Sequence, residues 1–276
     1  MTPQLISQGA SRWSLQPNPV LAPFIDRIWG YDASVVTPFP LLLPGTGSEL
    51  FFHHGSPPQQ PMAGPLPAAY LITPRQQRVQ LSIAGPLHFI AVRFKSGQLR
   101  HFTDQPFAEL HDQILPLTQL WGRTTEQLYT RLWPNPGREQ QMNLLQRFLM
   151  AQLARHHHAD AGLDQLIQRL YYAPNLRIEQ LADEWGWSRR HLERRFMHAF
   201  ALTPKYFARL ARLQHTVRQM ALAPHQALLD LALERGFCDQ SHFIHEMRAL
   251  TGLAPRQLQL SLTQPIHYYP PSHPPA

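Results

Sequence analysis

The sequence predicts an α+β multidomain chain: a β-rich barrel or sandwich with trailing helices, followed by an all-α double helix-turn-helix joined by a long helix. Three observations carry that prediction. Most of the 27 prolines lie before residue 140 or in the closing "QPIHYYPPSHPPA", so the first half breaks into short segments that helices would not survive. From "PLTQLWGRTTEQLYTRLW" onward the apolar period becomes helical. The last hundred residues contain an internal repeat.

In the first half, "SELFFHH", "RVQLSIAG" and "HFIAVRF" are short, rich in aromatic and β-branched residues, and partly alternating, as in Val79, Leu81, Ile83 and Ile90, Val92, Phe94. They predict strands of a β-rich domain from about residue 10 to 100. "PGTGSE" at residues 44–49 reads as a β-turn rather than a nucleotide loop. His53 and His54 are adjacent on a predicted strand, so they face opposite sides and at most one points inward.

"REQQMNLLQRFLMAQLARHHH" sets Met142, Leu145, Leu149 and Leu153 at helical spacing. That stripe packs either on its own domain or on the same helix of a second subunit, which leaves a homodimer open. His156, His157 and His158 read as a solvated interdomain link, because consecutive helical side chains diverge. The resulting division is 1–138 for a sensing or dimerising domain, 139–160 for an amphipathic helix and linker, 161–262 for the helical domain, and 263–276 for a Pro-rich disordered tail.

The repeat is specific. Leu181, Ala182, Gly186 and Trp187 match Leu231, Ala232, Gly236 and Phe237 at an offset of fifty. After one inserted residue, Leu192, Phe196, Leu202 and Pro204 match Phe243, Met247, Leu253 and Pro255. Each copy is a short helix, a turn that glycine permits, and a second helix with apolar residues at i and i+4, the sequence form of a helix-turn-helix. A single such pattern imitates any helical hairpin, whereas two copies at fixed spacing do not. Between them Phe207, Leu210, Leu213, Val217 and Met220 predict one long joining helix.

With Ser188 as N-cap, Leu192, Phe196 and Ala199 share one face of the first unit's second helix and Arg190 and Arg194 project from the other. Arg189 and Arg195 sit on the flanks, where phosphates are within reach, and Arg189 is also spaced to pair with Glu193 at i, i+4. In the second unit Ser241 and His245 lie opposite Phe243 and Met247, with Gln240 and His242 at the leading end. This helix is polar but far less basic.

Residues 161–260 resemble the DNA-binding module of AraC/XylS transcriptional regulators, through "IEQLADEWGWSRRHLERRF", "TPKYFARLARL", "LALERGFCDQSHFIHEM", "TG" and "AP". The resemblance implies a non-enzymatic regulator whose two recognition helices enter successive major grooves of double-stranded DNA. It implies base reading by Arg190, Glu193 and Arg194, and by Gln240, Ser241, His242 and His245. Phosphate contacts are expected from Arg189, Arg195, Lys205, Arg248 and Arg256. The second unit departs from the family at His245 and Met247, where Arg and Phe are usual; Met fills a core as Phe does. More loosely, "AGPLHFIAVRFKSGQLRHF" and "ELHDQILPLTQLWG" resemble the sensing domain of a subgroup without an assigned ligand, so the effector site is unknown. For an activator, RNA polymerase is a further expected partner.

Composition agrees with these expectations. A formal charge of +7 favours acidic partners. The single cysteine, Cys238, excludes an intrachain disulfide and a multi-thiolate zinc site and fits a reducing, cytoplasmic setting. That cysteine lies in the helical module, aligned with Ser188, which argues against the alternative of a DNA-repair or nucleotide-modifying enzyme with a reactive thiol. No GxSxG elbow, phosphate loop or HExxH occurs. No cofactor and no metal are expected, and no stretch approaches a membrane span.

Overall fold

The computed structural model describes residues 5–7, 12–33, 41–61, 63–83, 85–134 and 137–262. The tail expected at 263–276 lies outside them.

Among the described residues the N-terminal half has nine strands: β1 (Leu5–Ser7), β2 (Arg12–Leu15), β3 (Ile25–Ala33), β4 (Glu49–His54), β5 (Gln59–Gln60), β6 (Gly64–Pro65), β7 (Ala69–Ile72), β8 (Leu87–Phe94) and β9 (Ile114–Pro116). Seven form one antiparallel sheet in the order β1-β2-β3-β8-β4-β7-β9, and β5 pairs with β6. The sheet is not closed into a barrel, which corrects the barrel alternative. β4 and β8 arise where the aromatic and β-branched runs predicted them. "RVQLSIAG" does not form a strand: Leu81 turns inward, but the segment makes only single bridges, Val79 to Leu42 and Ser82 to Gln59.

A 3₁₀ turn at Gln98–His101 and three helices, α1 (Phe107–Leu110), α2 (Leu117–Trp121) and α3 (Arg123–Leu132), follow, and then α4 (Arg138–His156). Alternation along the strands splits the sheet's side chains between two cores. Leu50, Phe52, Ile28, Ile90 and Val92 pack with Phe102, Leu117 and the α4 stripe of Met142, Leu145, Leu149 and Leu153. The stripe is therefore used up inside its own domain, and burying each such side chain contributes about 1.5–3 kcal/mol. Trp29, Phe51, Tyr70 and Phe89 line the opposite face, where they join the same core as the C-terminal helices.

The C-terminal half contains α5 (Ala161–Tyr172), α6 (Ile178–Glu184), α7 (Arg189–Phe200), α8 (Pro204–Leu222), α9 (Leu228–Glu234), α10 (Gln240–Thr251) and α11 (Pro255–Ser261). α6 with α7 and α9 with α10 are the two repeated units, and α8 is the long helix joining them. Its predicted apolar stripe of Phe207, Leu210, Leu213, Val217 and Met220 is buried. No helix among the described residues is long and apolar enough to cross a membrane.

Candidate nucleic-acid interface

The two helix-turn-helix units are closely alike in their local chemistry. Gly186 and Gly236 adopt φ of 64° and 77°, the left-handed conformation that lets each turn reverse. After each glycine the aromatic N–H donates back to the first helix, Trp187 to Ala182 O at 2.9 Å and Phe237 to Ala232 O at 3.0 Å. Ser188 caps α7 by accepting from His191 N–H at 3.2 Å. Asp239 caps α10, accepting from His242 N–H at 2.7 Å. The inserted residue thus precedes the cap, and Cys238, aligned by sequence with Ser188, stands exposed one position before it.

On α7, Leu192, Phe196 and Ala199 are buried, while Arg190 and Arg194 are exposed on the outward face. Arg194 lies 3.3 Å from His191 Nδ1. The flanking arginines are more engaged than their sequence positions show. Arg189 donates to Glu193 at 2.9 Å and to Glu179 on α6 at 2.5 Å, and these two carboxylates raise its pKa, Glu193 most strongly. Arg195 pairs with Asp160 at the start of α5 and lies 4.6 Å above the Trp187 ring.

On α10, Gln240, Ser241 and His245 are exposed. His242 is half-buried, with its ring against Phe237 and its Nδ1 accepting from Cys238 N–H at 3.3 Å. Lys205 at the start of α8, Arg248 late in α10 and Arg256 in α11 are all exposed. The fold brings the two sets expected to read bases onto equivalent helices of the two units.

The N-terminal domain touches both units. Gln214 Oε1, on α8, accepts from the Thr46 N–H at 3.2 Å and the Thr46 hydroxyl at 2.7 Å. Asp164 on α5 accepts from Arg100 at 2.7 Å, Gln98 at 3.0 Å and His101 at 3.2 Å. Burial pushes the Asp164 carboxyl upward, but these hydrogen bonds and the Arg100 charge outweigh it and hold the pKa down at about 2. Phe200, at the end of α7, meets Phe107 and stands over Gly97. Arg78 donates to Thr251 O at 3.4 Å, at the end of α10. The histidine link is likewise docked: His156 Nδ1 is 2.7 Å from Asp104 and the His157 ring stacks on His101.

A cavity of about 220 Å³ opens between the domains, with Arg27, Lys95 and Tyr172 among its walls together with Gln214 and Arg218 of α8. Its basic residues come from β3 (Arg27), β8 and the residue after it (Arg93 and Lys95), and α8 (Arg218). Sequence reasoning missed them, since no local pattern unites residues so far apart in the chain. His53, the inward member of its pair, is fully buried with Nε2 3.0 Å from the Tyr70 hydroxyl, and burial drives its pKa down to about 3. His54 is exposed and leans on Trp133.

Residues 181–261 match the family described as "Helix-turn-helix domain", which coincides with the paired units, and residues 14–116 match "Domain of unknown function (DUF6597)". The C-terminal module is therefore a helix-turn-helix domain, as its resemblance to AraC/XylS regulators implied. Relatives include an uncharacterized HTH-type transcriptional regulator of Staphylococcus aureus and another from strain MSSA476, each 24% identical over 88 residues. Those matches cover 32% of this chain, which spans only 12% of the length of these curated relatives. A structure of ToxT from Vibrio cholerae is 11% identical with a TM-score of 0.52, covering 86% of this chain and 99% of that one. ToxT bound to (E)-4-(8-methylnaphthalen-1-yl)but-3-enoic acid gives 9% identity and a TM-score of 0.50 over the same shares. This likeness shows that the two-domain fold is shared.

Proposed function

We propose that the chain is a sequence-specific, non-enzymatic DNA-binding transcription regulator whose grip on double-stranded DNA is set by a small molecule held between its domains. The observation that carries the reading is the pair of matched helix-turn-helix units with polar faces turned outward on α7 and α10. Arg190, Glu193 and Arg194 read bases from α7, and Gln240, Ser241, His242 and His245 from α10. Arg189, Arg195, Lys205, Arg248 and Arg256 meet phosphates. Arg189 and Arg195 do so by exchanging their carboxylate partners for DNA oxygens.

The interdomain cavity is the effector site. Four cations, Arg27, Arg93, Lys95 and Arg218, outnumber the one carboxylate, Asp26, and suit an acid head group, and the side chains of Ile167, Tyr171 and Phe94 suit an apolar body. The ToxT ligand, an aryl butenoic acid, is a compound of that kind. Because Gln214 and Arg218 belong to the helix that joins the two units, occupancy there biases how those units are presented to DNA. The protein acts in the cytoplasm, and as an activator it would work beside RNA polymerase, alone or as a homodimer.

Selection of bound duplexes from random DNA, with and without a panel of aromatic and aliphatic carboxylic acids, tests the reading. A recovered consensus spanning two half-sites one helical turn apart, with affinity changed by an acid, is the expected result. Absence of any enriched sequence under all conditions overturns it.

A further inference from the structure

A second concavity, of about 1010 Å³, lies between the two helix-turn-helix units. Arg177 enters from the residue before α6, Arg212, His215 and Arg218 from one side of α8, and Arg235 from the turn after α9. The one carboxylate in its walls, Glu234, already accepts from the Gln219 amide at 2.8 Å and the Gln226 amide at 3.0 Å. Arg212 covers the Phe237 ring at 4.7 Å and reaches Glu246 only at 3.6 Å, because Arg209 holds both oxygens of that carboxylate at 2.8 and 3.1 Å. The Nε atoms of Arg212 and Arg235 are buried without an acceptor among the described residues.

Burial, and behind it the Arg218 charge, lowers the Arg235 pKa even against the pull of Glu234. Burial likewise lowers the pKa of His215, which Arg235 and Arg218 disfavour further as a cation and whose Nε2 donates to Tyr171 O at 2.8 Å. Cations gathered in a partly dry crevice with one engaged carboxylate repel one another, and an anion relieves that cost. Guanidinium forks match the paired oxygens of phosphate better than any other common anion save a carboxylate. The volume and the spread of cations over three segments suit more than one phosphate group.

We propose that this crevice is a phosphate-binding site for an oligophosphate, supplied either by a DNA backbone or by a free phosphorylated small molecule. It is separate from the interdomain cavity, although Tyr172 and Arg218 stand in the walls of both. Binding here requires neither an effector in that cavity nor any base contact, so it goes beyond the regulatory reading above.

The test uses the full chain, titrated calorimetrically with inorganic tripolyphosphate and, in parallel, with a random-sequence duplex at several salt concentrations. Arg177→Ala and Arg235→Gln probe the site. Arg147→Ala, an exposed arginine on α4, carries the same charge change elsewhere. Thermal melts establish that each variant is folded, and Arg177, exposed, serves if Arg235→Gln is not.

Tripolyphosphate binding near one to one that weakens about tenfold in Arg177→Ala, but not in Arg147→Ala, supports a free oligophosphate. Loss of about one unit of salt slope for the duplex in Arg177→Ala alone supports the DNA backbone. No effect in either titration, or equal effects in Arg147→Ala, overturns the proposal. A chain that binds tripolyphosphate in this way but no duplex keeps the site and overturns the DNA-binding reading instead.

Discussion

Gln214 of α8 and Thr46 of the N-terminal domain are joined by two buried hydrogen bonds, both ending on the same carboxamide oxygen. Ser96 completes the group, with its hydroxyl 2.6 Å from that of Thr46. Truncating Gln214 to Ala leaves the buried Thr46 N–H without its acceptor, a cost of about 1–3 kcal/mol. Urea denaturation of Gln214→Ala should show an unfolding free energy lower by that margin and a correspondingly lower midpoint; an unchanged midpoint means the bond does not tie the domains together.

Gly97 offers a steric test of the same boundary. Its φ is 78°, and a Cβ there would stand 2.5 Å from Phe200 Cζ. Both strain and collision therefore oppose Gly97→Ala. The variant should lose about 2 kcal/mol of stability, and limited proteolysis should cut faster at the α4–α5 connection. Wild-type stability and cleavage rate would show that Phe200 yields freely.

Arg190 and Arg194 should be inseparable from sequence preference. Alanine at either position should weaken binding to the selected site about tenfold or more and relax the preference at one base position. A binding selection repeated with each variant decides this; the same consensus at the same affinity would remove the residue from the base-reading set.

Lys205, exposed and proposed above as a phosphate contact, should behave differently, because a phosphate contact carries no sequence information. Lys205→Ala should reduce affinity about equally for all duplexes and lower the salt slope by about one. A change in preferred sequence would contradict a purely phosphate role.

His53 predicts an acid sensitivity. Its folded pKa of about 3 lies below the ordinary value of 6.5, so below 6.5 the unfolded chain takes up a proton that the folded chain refuses. Its contribution is thus intact above pH 6.5 and declines as pH falls toward 3. Between neutrality and about pH 4.5 the loss should be about 2 kcal/mol. His53→Gln should flatten that part of the stability profile. His101 and His215, also lowered chiefly by burial, keep part of the slope in the variant. An identical profile would mean that the imidazole charges inside the fold.

The helix-turn-helix units were legible because their determinants are local. A left-handed glycine, a capping hydroxyl and apolar residues one turn apart each act within a few positions. The same locality explains the outward placement of Arg190 and Arg194. What was not legible depends on distant partners. Thr46 sits in a stretch that reads as a turn and is instead a bend beside the Gly45–Arg75 bridge, and its role is set by a glutamine on α8. Arg195 looks like a free flank until Asp160, ahead of α5, arrives beside it. "RVQLSIAG" has the alternation of a strand, but alternation specifies which side chains turn inward, not whether a neighbour supplies a full ladder of hydrogen bonds.

The docking of Phe200 on Gly97 and Phe107 bears on how such a protein can be recombined. The far end of α7 is finished by the N-terminal domain, so the helical half is not an interchangeable cassette. A chimera cut at the histidine link, with a foreign sensor fused to residue 161, would carry an aromatic ring that its new neighbour has no socket for. Exchanging sensors would succeed only when the donor brings a glycine and an aromatic shelf of its own, and the inventory of workable fusions should sort by that one local fit.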